Sequence, residues 1–215
     1  MKKSDAGKRL VAALKATAMS GMPSLVLQVD HPVGAVLRPI PTVEGHLDTL
    51  DVDLLTVWRN RHVKSFLTEF IATRDRTATW LTQHVHANEG KLLFMVETPD
   101  GNRVGHIGLG FVDWTTGYGE ADAIVSGGAS PKGLMKASLL VLMQWSRDVL
   151  GLNNLAVRVR SANPALEFYR RVGFQEVKRV PIVAHTVVDG THWTESPQSD
   201  DRSVTLVHMR LVFPK

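Results

Sequence analysis

The stretch Leu155-Ala-Val-Arg-Val-Arg-Ser161-Ala-Asn163-Pro-Ala-Leu-Glu-Phe168-Tyr169-Arg-Arg-Val-Gly173-Phe174 joins a strand, a turn and a short helix around one phenol. Leu155, Val157 and Val159 alternate with Ala156, Arg158 and Arg160, the period of two of a strand with one apolar face. Ser161 and Asn163 are turn and N-cap residue types, and Pro164 falls where a first helical position belongs, so a helix is predicted to begin here. Gly173 closes it. Ala165, Phe168, Tyr169 and Val172 recur at helical spacing, which turns the Tyr169 phenol toward the body of the protein.

Working outward, Gly133 to Leu150 reads as about five turns of apolar helix buried against a sheet, with Gly151 as its stop. Ala35 to Ile40 reads as a first strand, and Asp48 to Phe66 as a helix carrying Leu47, Leu50, Leu54 and Trp58 at helical spacing. Asp48, Asp51 and Asp53 suit its N-terminus. A second helix is predicted over Asp75 to Asn88, with Ala78, Leu81 and Val85 on one face and Gly90 as its end. Leu92 to Glu97, Arg103 to Trp114 and Tyr118 to Ser126 then read as antiparallel strands turning at Pro99-Asp-Gly101-Asn and Thr115-Thr-Gly117. Strands are predicted near Phe174 to Val188 and Val204 to Val212, with Asp189 to Ser203 between them as a polar loop.

The corner Asn163-Pro-Ala-Leu-Glu-Phe168-Tyr169-Arg-Arg-Val-Gly173-Phe174, within this order of elements, resembles the C-terminal half of the GNAT-type N-acetyltransferases. The resemblance runs from about Val36 to the C-terminus. It implies an α+β GNAT fold, a mixed central sheet of about seven strands flanked by four helices, over residues 35–215. Residues 1–34 lie outside the pattern and are expected to form a mobile arm or a dimer contact. Lys8 to Ala18 in that arm suits a weak amphipathic helix, broken by Gly21 and Pro23.

The resemblance also implies a reaction: direct transfer of acetyl from acetyl-coenzyme A to a primary amine. Tyr169 would protonate the departing thiolate and Asn163 would lie beside the pantetheine arm, although these residue types equally suit a packed phenol and a helix cap. The backbone of Ile124, Val125 and Ser126 would pair with pantetheine, the Val125 N–H polarising the thioester carbonyl. Ser126-Gly-Gly-Ala-Ser-Pro-Lys132-Gly133-Leu134-Met135-Lys136 leads into the long helix, whose first amides suit a pyrophosphate. Two positions depart from the family signature: Ser130 stands where Arg or Gln is usual, and Met135 adds bulk near the phosphates. Lys132 and Lys136 supply positive charge or are simply solvated.

An amine acceptor titrates near 10.4 and must lose a proton, so a base is useful. Glu120 and Asp122 alternate on one strand and face one side; Glu120 suits the base, Asp122 suits orientation of the acceptor, and His106 is an alternative base. Trp58-Arg59-Asn60, followed by His62 and Lys64, resembles members that acetylate nucleotide-linked amino sugars, and Trp58 suits the core as well. Amino acids, polyamines, aminoglycosides and protein N-termini are the rival acceptors. A non-catalytic domain of the same fold that binds acyl-coenzyme A is the alternative of another class.

Composition narrows the rest. With 44% hydrophobic residues in 215, the chain can bury about 70% of its unfolded surface as one domain. The absence of Cys excludes a disulfide framework, zinc–thiolate ligation and a thiol nucleophile, and suits the cytoplasm. The basic start, Met1 to Arg9, precedes an apolar run that ends at Lys15, too short for a signal peptide or a membrane span. A formal charge of +4, with acids interspersed, argues against nucleic acid as the partner and suits a phosphate-bearing small molecule. His84 and His86 diverge on their helix and have no companion ligands, so no metal is expected. The alternation in Val204 to Val212 permits a homodimer or a monomer.

Overall fold

The computed structural model describes residues 3–19 and 25–213; Gly21 and Pro23 lie outside them. In chain order the elements are α1 (Lys3–Thr17), β1 (Leu27–Val29), β2 (Ala35–Pro39), α2 (Thr49–Arg61), β3 (Thr68–Glu69) and α3 (Arg74–Thr79). There follow β4 (Leu92–Glu97), β5 (Arg103–Asp113), β6 (Tyr118–Ser126), α4 (Leu134–Asp148) and β7 (Asn154–Arg160). The chain ends with α5 (Ala165–Val172), β8 (Phe174–Val187), β9 (Gly190–Glu195) and β10 (Thr205–Leu211). The class is α+β as expected, but the described residues form ten strands and five α-helices rather than seven and four. The additions are β1, β3, β9 and the N-terminal α1.

Two compact units make up the described residues: one from Met1–Trp58 and Thr73–Leu155, the other from Arg59–Ala72 and Ala156–Lys215. Within each, every described strand pair is antiparallel.

The first unit orders its strands β1-β2-β4-β5-β6. Leu92 to Val96 are all buried, so β4 is covered on both faces. One face carries Phe94, Ile107 and Leu109, with Trp145 of α4 meeting the Phe94 ring edge-on at 6.1 Å. The opposite face carries His106, Gly108, Gly110, Glu120 and Asp122, which the register places across from one another. Trp58 of α2 covers this face by stacking on His106, ring centroids 6.0 Å apart.

Helix α2 starts where Asp48 Oδ1 accepts from the Leu50 and Asp51 N–H groups, at 2.9 and 3.0 Å. Beneath this cap Arg38 and Arg103 bridge Asp48, Asp51 and Glu97, with the Asp51 side chain 1% exposed. Burial raises the Asp51 carboxyl above its ordinary range in spite of both guanidinium groups. Helix α3 is capped by Thr73 and continues as a π-helical segment, Trp80–His86. Lys15 of α1 donates to the carbonyls of Val85, His86 and Asn88 at 3.1, 2.9 and 2.7 Å, capping that segment with a cation.

The second unit orders its strands β7-β10-β8-β9-β3. Val157 and Val159 are buried as the alternation requires. The polar loop expected over Asp189 to Ser203 instead contains β9, paired with β8 from Val187↔Gly190 to Ile182↔Glu195. Helix α5 closes at Gly173 with φ +119.

Candidate active site

In the first unit the decisive local feature is a bulge in β6. Ala123 has φ +50, and the register passes from Gly108↔Asp122 to His106↔Val125, so Ala123 and Ile124 together oppose Ile107. The extra residue brings Val125 onto the face that carries Asp122 and Glu120. Ile124 is half-buried, Val125 is buried and Ser126 is exposed at the strand end.

Beyond Ser126, the Gly127 and Gly128 N–H groups donate to Val104 O at 2.9 and 3.3 Å, pinning the loop to β5. Helix α4 then begins at Gly133, which has φ +88 and supplies no side-chain cap. Leu134 N–H turns to Pro131 O, and Ala137 N–H begins the helical pattern at Gly133 O, both at 3.0 Å. Met135 and Lys136 therefore present the N–H groups of the first turn, the arrangement that holds an anion. Lys132 and Lys136 are exposed beside them.

The bulk feared at Met135 is absent from this loop. A Cβ at Gly105 would lie 3.0 Å from the Met135 Sδ, so the thioether packs back onto β5. Added Cβ atoms at Gly128 and Gly133 would meet nothing within 4 Å, so the loop opens to solvent. The loop therefore has the room and the donors for a phosphate group.

Glu120 is 5% exposed and accepts a hydrogen bond from the Tyr118 hydroxyl. Asp122 is paired with Lys91 at 2.8 Å. His106 is buried beneath Trp58, so its ring lies within the layer between helix and sheet. Trp58, 3% exposed, also lies against the Gly127 backbone and is a core residue rather than a ligand platform.

In the second unit Tyr169 is 8% exposed, with Phe168 and Phe174 edge-on at 5.4 and 5.9 Å. Asn163 lies just before α5, where its Oδ1 accepts from Ala165 N–H at 2.9 Å and its Nδ2 donates to Ser65 O at 3.1 Å. Its side chain is therefore engaged in the fold rather than turned to a pantetheine arm. Arg59 donates to Thr68 and lies over the Phe66 and Phe70 rings at 3.9 and 4.3 Å. Asn60 holds both the N–H and the C=O of Ala72. The expected Trp58-Arg59-Asn60 rim is thus used internally at all three positions.

Sequence reasoning missed Glu69, the hub of this unit. Burial pushes its carboxyl up, but Lys64 at 2.8 Å, Arg160 at 2.6 Å and Trp193 at 2.8 Å hold it at about 2. Arg160 also lies over the Trp193 ring at 4.2 Å. Glu69 sits on a strand of two residues, so no local periodicity marks it.

His84 and His86 are exposed, His86 Nδ1 lying 3.0 Å from Thr42 Oγ1. Among the described residues no group of three His, Cys, Asp or Glu is arranged to hold a metal ion. No helix among them is long and apolar enough to cross a membrane.

A family model described as an acetyltransferase (GNAT) domain matches residues 36–175. A probable GNAT-family acetyltransferase from Chromobacterium violaceum ATCC 12472 has a similar structure, with TM-score 0.64, 17% identity, and coverage of 90% of this chain and 89% of that one. A GCN5-related N-acetyltransferase from Brucella melitensis gives TM-score 0.60 at 18% identity over 91% of this chain and 82% of that one. Spermidine N-acetyltransferase from Vibrio cholerae, in complex with CoA and spermine, gives 0.60 at 19% identity over 82% and 95%. No curated protein matches the chain at a significant level.

Proposed function

The chain belongs to the GNAT acetyltransferase family, whose acyl donor is acetyl-coenzyme A, and on that footing we propose that it acetylates the primary amine of a small molecule in the cytoplasm. The observation that carries this reading is the uncapped start of α4 at Gly133, directly following a bulged β6 that carries Glu120 and Asp122.

When bound, acetyl-coenzyme A supplies an activated thioester. The Met135 and Lys136 N–H groups would hold its pyrophosphate, with Lys132 and Lys136 adding charge. The β6 end, Ile124 to Ser126, offers backbone to the pantetheine arm, and the Val125 N–H is the donor assigned to the thioester carbonyl.

Glu120 accepts the proton that the acceptor must lose, because an ammonium has no lone pair for attack. Its burial and its Tyr118 partner keep the carboxylate in one orientation. The family resemblance assigns to the Tyr169 hydroxyl the proton that a departing thiolate would need; its ring is held by Phe168 and Phe174.

Acceptors within this reading are small amines. The nucleotide-linked amino sugar suggested by Trp58-Arg59-Asn60 loses its residue support, since those side chains are engaged internally. Polyamines, amino acids, aminoglycosides and protein N-termini stand beside it as candidates. The non-catalytic alternative is weakened because Met135 leaves the phosphate loop open.

The test is mass spectrometry of candidate amines incubated with acetyl-coenzyme A and the full chain. Acetylated amine supports the reading; unmodified amines across every class, with the donor bound, oppose it.

A further inference from the structure

Lys91 immediately precedes β4, and strand alternation places it on the face that carries Leu93, Gly110 and Asp122. Its ammonium lies 2.8 Å from Asp122 Oδ2 and 5.4 Å from the centroid of the Trp80 ring. Gly110 makes this meeting possible, because a Cβ there would fall 2.7 Å from the same oxygen. The pair is largely sheltered, with side-chain exposures of 18% and 23%. Oδ2 itself is out of solvent contact, and the nearby ammonium stands outside hydrogen-bonding geometry, so charge alone holds the pair.

A sheltered carboxylate beside an aromatic ring is the chemistry that recognises an alkylammonium ion. Asp122 stands two residues from Glu120 on the same face of β6. We propose that Asp122 and Trp80 form an ammonium subsite beside Glu120, kept filled by the chain's own Lys91, and that Lys91 thereby selects against acceptors carrying a second cationic amine.

The proposal rests on the small-amine reading above for its meaning in catalysis. A second ammonium on the acceptor meets a like charge already tethered in place, whereas an acceptor with a single amine makes no demand on the subsite. Replacing Lys91 by an uncharged side chain of similar length frees the carboxylate and the ring together.

The experiment is calorimetric binding of 1,4-diaminobutane and of n-butylamine to the full chain, for the wild type, Lys91→Met, Lys91→Arg and the double variant Lys91→Met/Asp122→Asn. Lys91→Met is expected to bind the diamine about tenfold more tightly than the wild type does, with n-butylamine little changed. Lys91→Arg keeps the wild-type preference, and the double variant loses the gain. Equal diamine affinity in the wild type and Lys91→Met, or a gain that survives Asp122→Asn, overturns the proposal. Circular dichroism checks the fold, with Lys91→Gln as the substitute should Lys91→Met fail to fold. Binding is read without turnover, so a chain that acetylates no amine sinks the acetyl-transfer reading while these affinities still decide the subsite.

Discussion

Gly127 lies directly against the indole of Trp58: a Cβ added to it would fall 1.9 Å from Cε2 and 2.2 Å from Cζ2. The glycine that leads into the proposed phosphate loop is therefore also what lets α2 seat its tryptophan on His106. Gly127→Ala must displace a buried ring or the loop and is expected to cost about 1–3 kcal/mol. Gly128→Ala, where an added Cβ meets nothing within 4 Å, is expected to stay within about 0.5 kcal/mol of the wild type. Urea denaturation of the two variants side by side checks the contrast, and equal midpoints would contradict the packing described.

Glu69 links stability to pH. Its carboxyl is held at about 2 against an ordinary 4.5, so the folded state binds the proton less readily than the unfolded chain does. The stabilisation is fully present above pH 4.5 and is lost as pH falls through about 2. Glu69→Gln should lower stability at pH 7 by roughly 3 kcal/mol or less and flatten the acid-side slope between those values. Denaturation midpoints measured across that range are the check; a slope identical to that of the wild type would remove Glu69 from this role.

Tyr169→Phe keeps the ring packing against Phe168 and Phe174 and removes only the hydroxyl. Turnover is expected to fall by about a hundredfold while acetyl-coenzyme A affinity changes by less than about twofold. Unchanged turnover would leave Tyr169 as a packing residue of the corner.

Glu120→Gln removes the proposed proton acceptor and keeps a polar group opposite Tyr118. It should depress kcat/KM by about a hundredfold near neutral pH, with partial recovery toward pH 10, where the acceptor amine itself loses its proton. A deficit independent of pH would point to a structural role.

The fold was legible wherever local pattern and long-range packing agree. The strand of Leu155, Val157 and Val159 and the stop at Gly173 are specified by neighbours within a turn or two, and the structure keeps them, while the helix start falls one residue later than expected, with Pro164 at the cap position and Asn163 Oδ1 accepting from Ala165 N–H. Strand β9 was missed because Thr191 to Glu195 shows no apolar alternation, and β3 exists as a strand only through its pairing with β9. The π-helical segment after Thr79 was legible as helix but not as a widened turn.

The candidate site was legible in part for a related reason. Asn163 and Asn60 have side chains suited both to ligands and to backbone, and their use was decided by Ser65, 98 residues from Asn163, and by Ala72. Met135 was misjudged because its direction depends on the space left by Gly105, on another strand. Glu120 and Asp122, by contrast, share a face as their spacing of two demands.

The measurement that bears most directly on the central claim is the rate of thiol release from acetyl-coenzyme A by the wild-type chain, across monoamines, polyamines, amino acids, aminoglycosides, nucleotide-linked amino sugars and N-terminal peptides. Release is expected to depend on the amine, to saturate with one acceptor class and to collapse in Tyr169→Phe. Release no faster than in the absence of any amine, by a folded chain that binds acetyl-coenzyme A, would contradict it.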